Sequence, residues 1–408
     1  MANRKKSRSS KKKKLKYILS ITIIALIFVG GLIFYNLVIK NDLLGFSDTP
    51  IENSNTKNTS SNNDPIKTEE IQKPYSSDNK PTPPENTSTE VLLTTVGDCT
   101  LGRDEKYSYE GSLPQVLEKN NNDFSYIFKN VYSIFNSDDI TIANLEGTFT
   151  NSKVKADKQF TFKAPPEYAK ILTSGSVEGV NLSNNHTMDY LKQGFEDTKT
   201  ALISEEIEYF GEGNVWVTEV KGVKFGFLGY KGFYNSKELQ DKMKSDILNL
   251  KKQNCIVIIN FHWGEEGKYT PNSVQKSIAH FAIDNGADLI IGHHPHVVQG
   301  LEKYKNKLIF YSLGNFAFGG NRNPSDKDTL IAQVKFNFEN STLSSYDFKV
   351  IPAKLSSVNY TNDYSPIVAE GNSKAAILDK LNKISPNLGL KIDGTFQNIP
   401  LSNKEPLK

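Results

Sequence analysis

Cysteine is nearly absent from this chain: Cys99 and Cys255 are the only two in 408 residues. That scarcity excludes a disulfide-stapled scaffold and any zinc cluster held by thiolates, while a single bridge between the pair stays open in an oxidising compartment. Also lacking is a basic folded surface. The formal net charge is only +3, and the cations crowd the extreme N-terminus at Arg4, Lys5, Lys6, Arg8, Lys11 to Lys14 and Lys16. The remainder is near neutral, so no nucleic-acid partner is indicated. No internal repeat is present, and the length suits one large or two ordinary domains.

Long apolar runs are equally scarce, with one exception. Residues 17–39 read YILSITIIALIFVGGLIFYNLVI, an uncharged stretch long enough to cross a hydrocarbon core as a single transmembrane helix. The basic residues before it assign segment 1–16 to the cytoplasm and the bulk of the chain to the outside of the cell membrane. A cleaved signal peptide would have a shorter apolar core and a small-residue cleavage site, whereas this run closes on Asn36 and bulky residues. Residues 40–90 are dominated by Asn, Ser, Thr, Asp, Lys and Pro and read as a disordered extracytoplasmic linker, stiffened near Pro81, Pro83 and Pro84.

From Val91 onward, short apolar runs alternate with amphipathic stretches, the pattern of an α/β protein. Strands are predicted at 91–96, 140–144, 179–182, 216–220, 224–230, 255–261, 289–291, 308–312 and 329–338, and helices at 126–136, 166–173, 193–205, 237–251 and 275–285. The hairpin signal at Lys221-Gly222 and the late strands 329–338 and 346–351 argue for mixed rather than purely parallel sheets. The main domain is read as 91–355, followed by a C-terminal extension, 356–408, with one helix at 373–384.

The polar residues fall in a pattern. Asp98 follows the first strand; Asn144 and Glu146 follow the second; Asn184, Asn185, His186 and Asp189 follow the third. His262 ends the 255–261 strand, and His293, His294 and His296 follow 289–291. Five of the six histidines thus lie at strand ends, leaving only His280 on a helix. Ligands in open α/β sheets bind outside the carboxyl ends of strands. Taken singly, Asp98, Glu146 or Asn185 could be a helix cap, and His262 a core histidine; HPH and NNH at successive strand ends have no shared structural reason. Two carboxylates, an amide oxygen and three imidazoles make a shell suited to Mn, Fe or Zn, and six donors suit two bridged divalent ions better than one.

Seven motifs carry a family resemblance: GDCTLGR (97–103), ANLEGTFT (143–150), FTFKAP (160–165), NNHTMDY (184–190), HWGEE (262–266), GADLIIGHHPHVVQG (286–300) and YSLGNFAFG (311–319). Together they resemble the CapA family of bacterial capsule-synthesis proteins over about Val91 to Ile351. The resemblance implies a calcineurin-like metallophosphatase fold, a four-layer α/β/β/α sandwich with mixed sheets. It also implies work in poly-γ-glutamate synthesis or export, with membrane-embedded synthase and export subunits as partners and an acidic polymer or a phosphoester as substrate. Carried over by position, Asp98, Glu146, Asn185, His262, His294 and His296 match the metal-binding pattern, with Glu146 bridging two ions. His186 matches the general acid or phosphate-orienting histidine. Asn184 and Arg103 are candidate substrate-binding residues, although Arg103 is equally compatible with a surface ion pair. Two positions depart from the pattern: Thr100 stands where an Asp-x-His opening would have its histidine, and Gly267 where an aromatic residue often follows HWG-x-E. His293, next to His294 on an extended backbone, points the other way and is left outside the metal shell. The same residues also suit a free-standing metal-dependent hydrolase of cell-envelope material, or a polymer-binding module with a vestigial metal site.

Overall fold

Alternation of apolar side chains explains how the sheets stack. In the computed structural model, which describes residues 88–401, Val91 and Leu93 of the first strand join one apolar cluster, while Val96 and Cys99 of the same strand join another. Strand Ile256–Trp263 is buried along its whole length, as a central parallel strand must be. Its Ile256 and Ile258 pack toward the first sheet's strands, and Val257, Ile259, Phe261 and Trp263 pack against the helices Lys237–Lys252 and Ser273–Asp284. The basic tail, the apolar run 17–39 and most of the linker lie outside the described residues. Among those described, no helix is long and apolar enough to cross a membrane.

Two main sheets result, both mixed. In the larger, Ser88–Thr100 is central: it runs parallel to Ile140–Leu145, which continues through Gly179–Asn181 to Glu208–Phe210, and antiparallel to Asp328–Glu339 on its other side. Asn315–Phe318 also pairs with the end of Ser88–Thr100 in parallel. The smaller sheet has parallel strands Val223–Gly232, Ile256–Trp263, Leu289–His293 and Lys307–Phe310, with antiparallel Trp216–Val220 and Leu301–Tyr304 at its edges. A cluster containing Ile142, Phe227, Ile258, Ile291 and Val334 joins residues of both sheets. The helix Leu191–Ser204 contributes Phe195, Ala201 and Leu202 to a second cluster, with Val180 and Leu182. This mixed α/β arrangement fits a metallophosphatase-like fold.

Most predicted elements stand within a few residues of their expected bounds, with one clear exception. The helix expected over 126–136 is a 3-10 turn, Phe124–Tyr126, followed by a helix of four residues, Tyr132–Phe135. Its sequence is rich in aromatic and β-branched residues, which lose rotamer freedom in a helix, and burial of Ile127, Phe128, Val131 and Phe135 dictates the path instead. Helix Leu113–Lys119 lies outside the predicted elements. The chain after residue 355 adds helix Gly371–Lys383, and strand Gln397–Pro400 pairs with Thr342–Lys354. Cys99 and Cys255 are both buried, unbonded and in different clusters.

Candidate metal centre

Strand register brings the polar residues together. Asp98 lies opposite Asn144 on one neighbouring strand and opposite Asn315 on the other, and Asn144 lies opposite Asn181. The Asn181 amide donates to Asn144 Oδ1 at 2.8 Å, and the Asn144 amide donates to Asp98 Oδ1 at 2.8 Å. In the second sheet His262 is in register with His293. Backbone proximity makes two glycines obligatory here: a Cβ on Gly97 would sit 1.9 Å from the Gly314 carbonyl oxygen, and one on Gly292 would sit 2.0 Å from that of Tyr311.

The bend after Leu289–His293 holds its histidines in unusual backbone. His294 has φ 95° and His296 φ 56°, a left-handed region that non-glycine residues seldom adopt and that gathers at functional sites. The His294 amide is fixed by donating to Asp98 Oδ2 at 3.1 Å. Its ring Nδ1 lies 3.1 Å from His262 Nε2, which is itself 2.7 Å from Asn185 Oδ1. His296 Nδ1 lies 2.8 Å from Asn315 Oδ1 and 3.4 Å from Asp98 Oδ2.

Glu146 sits at the centre of this group. It is fully buried, and neither carboxylate oxygen has a hydrogen-bond partner. Its Oε1 lies 3.6 Å from His262 Nε2, 3.8 Å from His296 Nε2 and 3.9 Å from His186 Nε2. A buried carboxylate without donors is costly, and burial pushes Glu146 up to about 8; a cation between it and the imidazoles would remove that penalty. Two sets of donors share it, Glu146 with His262 and His294, and Asp98 with Glu146 and His296. These residues can hold a metal ion.

The surroundings leave His262 and His294 with nitrogen lone pairs free to donate. Burial, reinforced by the neighbouring imidazoles, holds His262 well below its ordinary value and His294 at about 4, so both rings are neutral near pH 7. Burial would raise Asp98, but His296, His293 and His262 outweigh it and hold the carboxyl below its usual range. Burial would lower His296, but Glu146 and Asp98 raise it to about 10. His293 is fully buried; Asn260 Nδ2 donates to its Nε2 at 3.2 Å, which leaves the proton on Nδ1, 3.6 Å from Asp98 Oδ1. At that distance it faces the Asp98 carboxylate without a hydrogen bond to it.

His186 stands beside the two donor sets rather than within either. Its Nδ1 is 2.6 Å from Asp189 Oδ2, which also accepts from the Phe162 amide at 2.6 Å, and Lys158 pairs with the other oxygen at 2.5 Å. Phe162 packs on the imidazole at 4.4 Å between centroids. Burial pushes His186 down against the pull of Asp189, giving a neutral ring with its proton on Nδ1 and a bare Nε2 toward Glu146. The two remaining candidates are placed otherwise. The Asn184 amide donates to the Leu145 carbonyl at 2.8 Å and its Oδ1 accepts from the His186 amide at 3.0 Å, so it shapes the turn. Arg103 donates to the Tyr107 carbonyl at 2.9 Å and covers the Tyr109 ring, without a contact to the histidine group. Asn181 and Asn315, absent from the sequence-based site, are strand residues whose role depends on register; Asn315 does lie within the SLGNF motif.

A family model described as "Bacterial capsule synthesis protein PGA_cap" matches residues 92–320, which contain every residue of this centre. The chain belongs to that family, the CapA family of poly-γ-glutamate capsule synthesis. The capsule biosynthesis protein CapA of Bacillus anthracis is 32% identical over 255 residues, 56% of this chain and 60% of its own. The PGA biosynthesis protein CapA of Bacillus subtilis (strain 168) is 30% identical over 337 residues, 77% of this chain and 83% of its own. A probable polyglutamine synthesis accessory protein of Mycobacterium tuberculosis (strain ATCC 25618 / H37Rv) is 27% identical over 208 residues, 43% of this chain and 55% of its own. This CapA-family chain thus aligns with 60% of the first of these relatives and with more than four-fifths of the second.

Proposed function

We propose that this chain is a membrane-anchored, extracytoplasmic CapA-type protein that supports poly-γ-glutamate synthesis or export through a dinuclear metal centre. Segment 17–39 is the single-pass anchor, 1–16 the cytoplasmic tail and 40–90 the tether. Domain 91–355 is a four-layer α/β/β/α sandwich, and 356–408 is its extension. Membrane-embedded synthase and export subunits are its partners in this reading, which the relatives' names support only as far as PGA biosynthesis and an accessory part in polyglutamine synthesis. The observation that carries the metal reading is Glu146, fully buried with both oxygens unpartnered among imidazoles.

Two divalent ions, Mn, Fe or Zn, would be held by Asp98, Glu146 and His296 on one side and by Glu146, Asn185, His262 and His294 on the other. Such a pair supplies a hydroxide at neutral pH and polarises the oxygen of an ester or acyl group. His186 handles the proton: its bare Nε2 accepts one from the attacking water and returns it to the leaving oxygen. Asp189 fixes the tautomer through Nδ1, Lys158 holds Asp189, and Phe162 restricts the ring to one orientation.

The His186–Asp189 pair supports a second reading, a metal-dependent phosphoesterase or other hydrolase of cell-envelope material. A vestigial, purely polymer-binding domain is the third, and the convergence of two donor sets on the unpartnered Glu146 weighs against it. Full-length protein, its His186→Ala variant and its His294→Ala variant would be compared by elemental analysis, by cleavage of a generic aryl phosphodiester and by rescue of polymer production in cells lacking the gene. Two ions, with cleavage and rescue lost in both variants, support the first reading. Cleavage without any effect on polymer supports the second. A protein that binds no ion refutes the metal-dependent readings.

A further inference from the structure

The two halves of the centre are unequally supplied. The His262 half can draw on Glu146, His262, His294 and Asn185, which satisfies a tetrahedral ion. The other half has Asp98, Glu146 and His296 and lacks a fourth protein donor. Glu266 lies beside it. This residue sits in the turn after strand Ile256–Trp263, between Gly264 (φ 79°) and Gly267 (φ 71°). The Gly267 amide donates to the Pro295 carbonyl at 2.8 Å, tying the turn to the His294-Pro295-His296 bend. One Glu266 carboxylate oxygen and the ring nitrogens of His294 and His296 all lie within 4.8 Å of one another. Glu266 is exposed whereas Glu146 is buried, so the two carboxylates meet the histidines from a solvated and an enclosed environment respectively. The unpartnered oxygens of Glu146 are the independent sign that a cation belongs between these groups.

We infer that Glu266 supplies the fourth protein donor to the ion shared by Asp98, Glu146 and His296. The inference rests on the dinuclear reading and adds an asymmetry to it: one ion is enclosed by buried donors, and the other is closed off by a carboxylate on a solvent-facing turn. The outer ion therefore exchanges first.

The test is a Mn²⁺ titration of full-length, chelator-stripped protein by calorimetry, with electron paramagnetic resonance to report coupling between two bound ions. Wild type is expected to bind two ions. Glu266→Gln is expected to retain one at unchanged affinity and to weaken the other about tenfold or more, with loss of the coupled signal at matched Mn²⁺. Glu265→Gln, in the same turn but outside these donor groups, serves as the control and is expected to match wild type. If Glu266→Gln binds two ions as tightly as wild type, or weakens both equally, the Glu266 assignment is overturned while the dinuclear centre stands. Fewer than two ions in the wild type overturns both.

Discussion

Replacing Glu146 by glutamine should stabilise the metal-free protein and destabilise the metal-loaded one. In the empty centre the carboxyl is pushed by burial from its ordinary 4.5 up to about 8. With 1.36 kcal/mol for each pH unit between 4.5 and 7, holding this residue in place at pH 7 costs about 3 kcal/mol relative to the unfolded chain. Glutamine keeps the volume and cannot ionise in either state. Part of the gain is lost to the fraction of Glu146 that does ionise beside His296, which Glu146 and Asp98 raise to about 10, so a net gain of about 1–3 kcal/mol is expected. The sign sets the pH window: a folded value above the unfolded one means that the penalty is absent below about 4.5 and complete by about 8. Urea denaturation of wild type and Glu146→Gln in chelator, at steps from pH 4.5 to 8, should show a stability gap that is near zero at the acid end and widens with pH. Adding Mn²⁺ should reverse the order, since the wild type alone retains the shared ligand. A gap that stays flat with pH, or a variant less stable than wild type in chelator at pH 8, would refute the reasoning.

Asp189→Asn should lower turnover of a cleavable ester about 10–100-fold with little change in KM, because it disturbs the tautomer of His186 rather than the donors; steady-state kinetics and an unchanged ion count check it. Gly97→Ala places a methyl group against the Gly314 carbonyl and should lose about 3 kcal/mol by thermal denaturation together with metal affinity. Asp288 is buried, pairs with Lys251 and with Lys307 at 2.9 Å, and accepts from the Val257 amide at 2.8 Å. Burial would raise this carboxyl, but the two ammonium groups overturn that and hold it below its ordinary value. Its stabilisation is therefore present above the unfolded value and lost as pH falls through the folded one. Asp288→Asn should cost about 3 kcal/mol at pH 7 and flatten the acid side of the stability profile, as read by chemical denaturation.

How far the sequence disclosed this arrangement depended on the kind of signal. Central strands such as Ile256–Trp263 were legible because burial on both faces leaves an unbroken apolar run, and metal-type residues at strand ends were legible because the sheet topology leaves them nowhere else to converge. The family motifs then supplied a fold and a setting, and the match over residues 92–320 bears out the family. Short strands such as Glu208–Phe210 and Asn315–Phe318 were not found, since three or four residues offer too little periodicity and their pairing is decided by distant partners. The same holds for Asn181 and Asn315 in the centre. An asparagine in a strand says nothing about chemistry until register sets it beside Asp98 or Asn144. Glu266 was obscured for another reason: it lies in a turn, which contacts such as the hydrogen bond from Gly267 to Pro295 bring to the histidines.

The position of the first strand has a consequence for biogenesis. Ser88–Thr100 is the earliest described strand to be synthesised, yet it occupies the middle of the larger sheet, and its antiparallel neighbour is Asp328–Glu339, with Ser88 opposite Glu339 and Thr94 opposite Gln333. A ribosome must therefore deliver nearly the whole domain before one edge of that strand is satisfied. Pairings so distant along the chain slow folding and prolong the exposure of sticky strand edges. Truncation before Asp328 would leave the emerging strand open along one side, so a premature stop or a late frameshift is expected to yield aggregates rather than a smaller working domain.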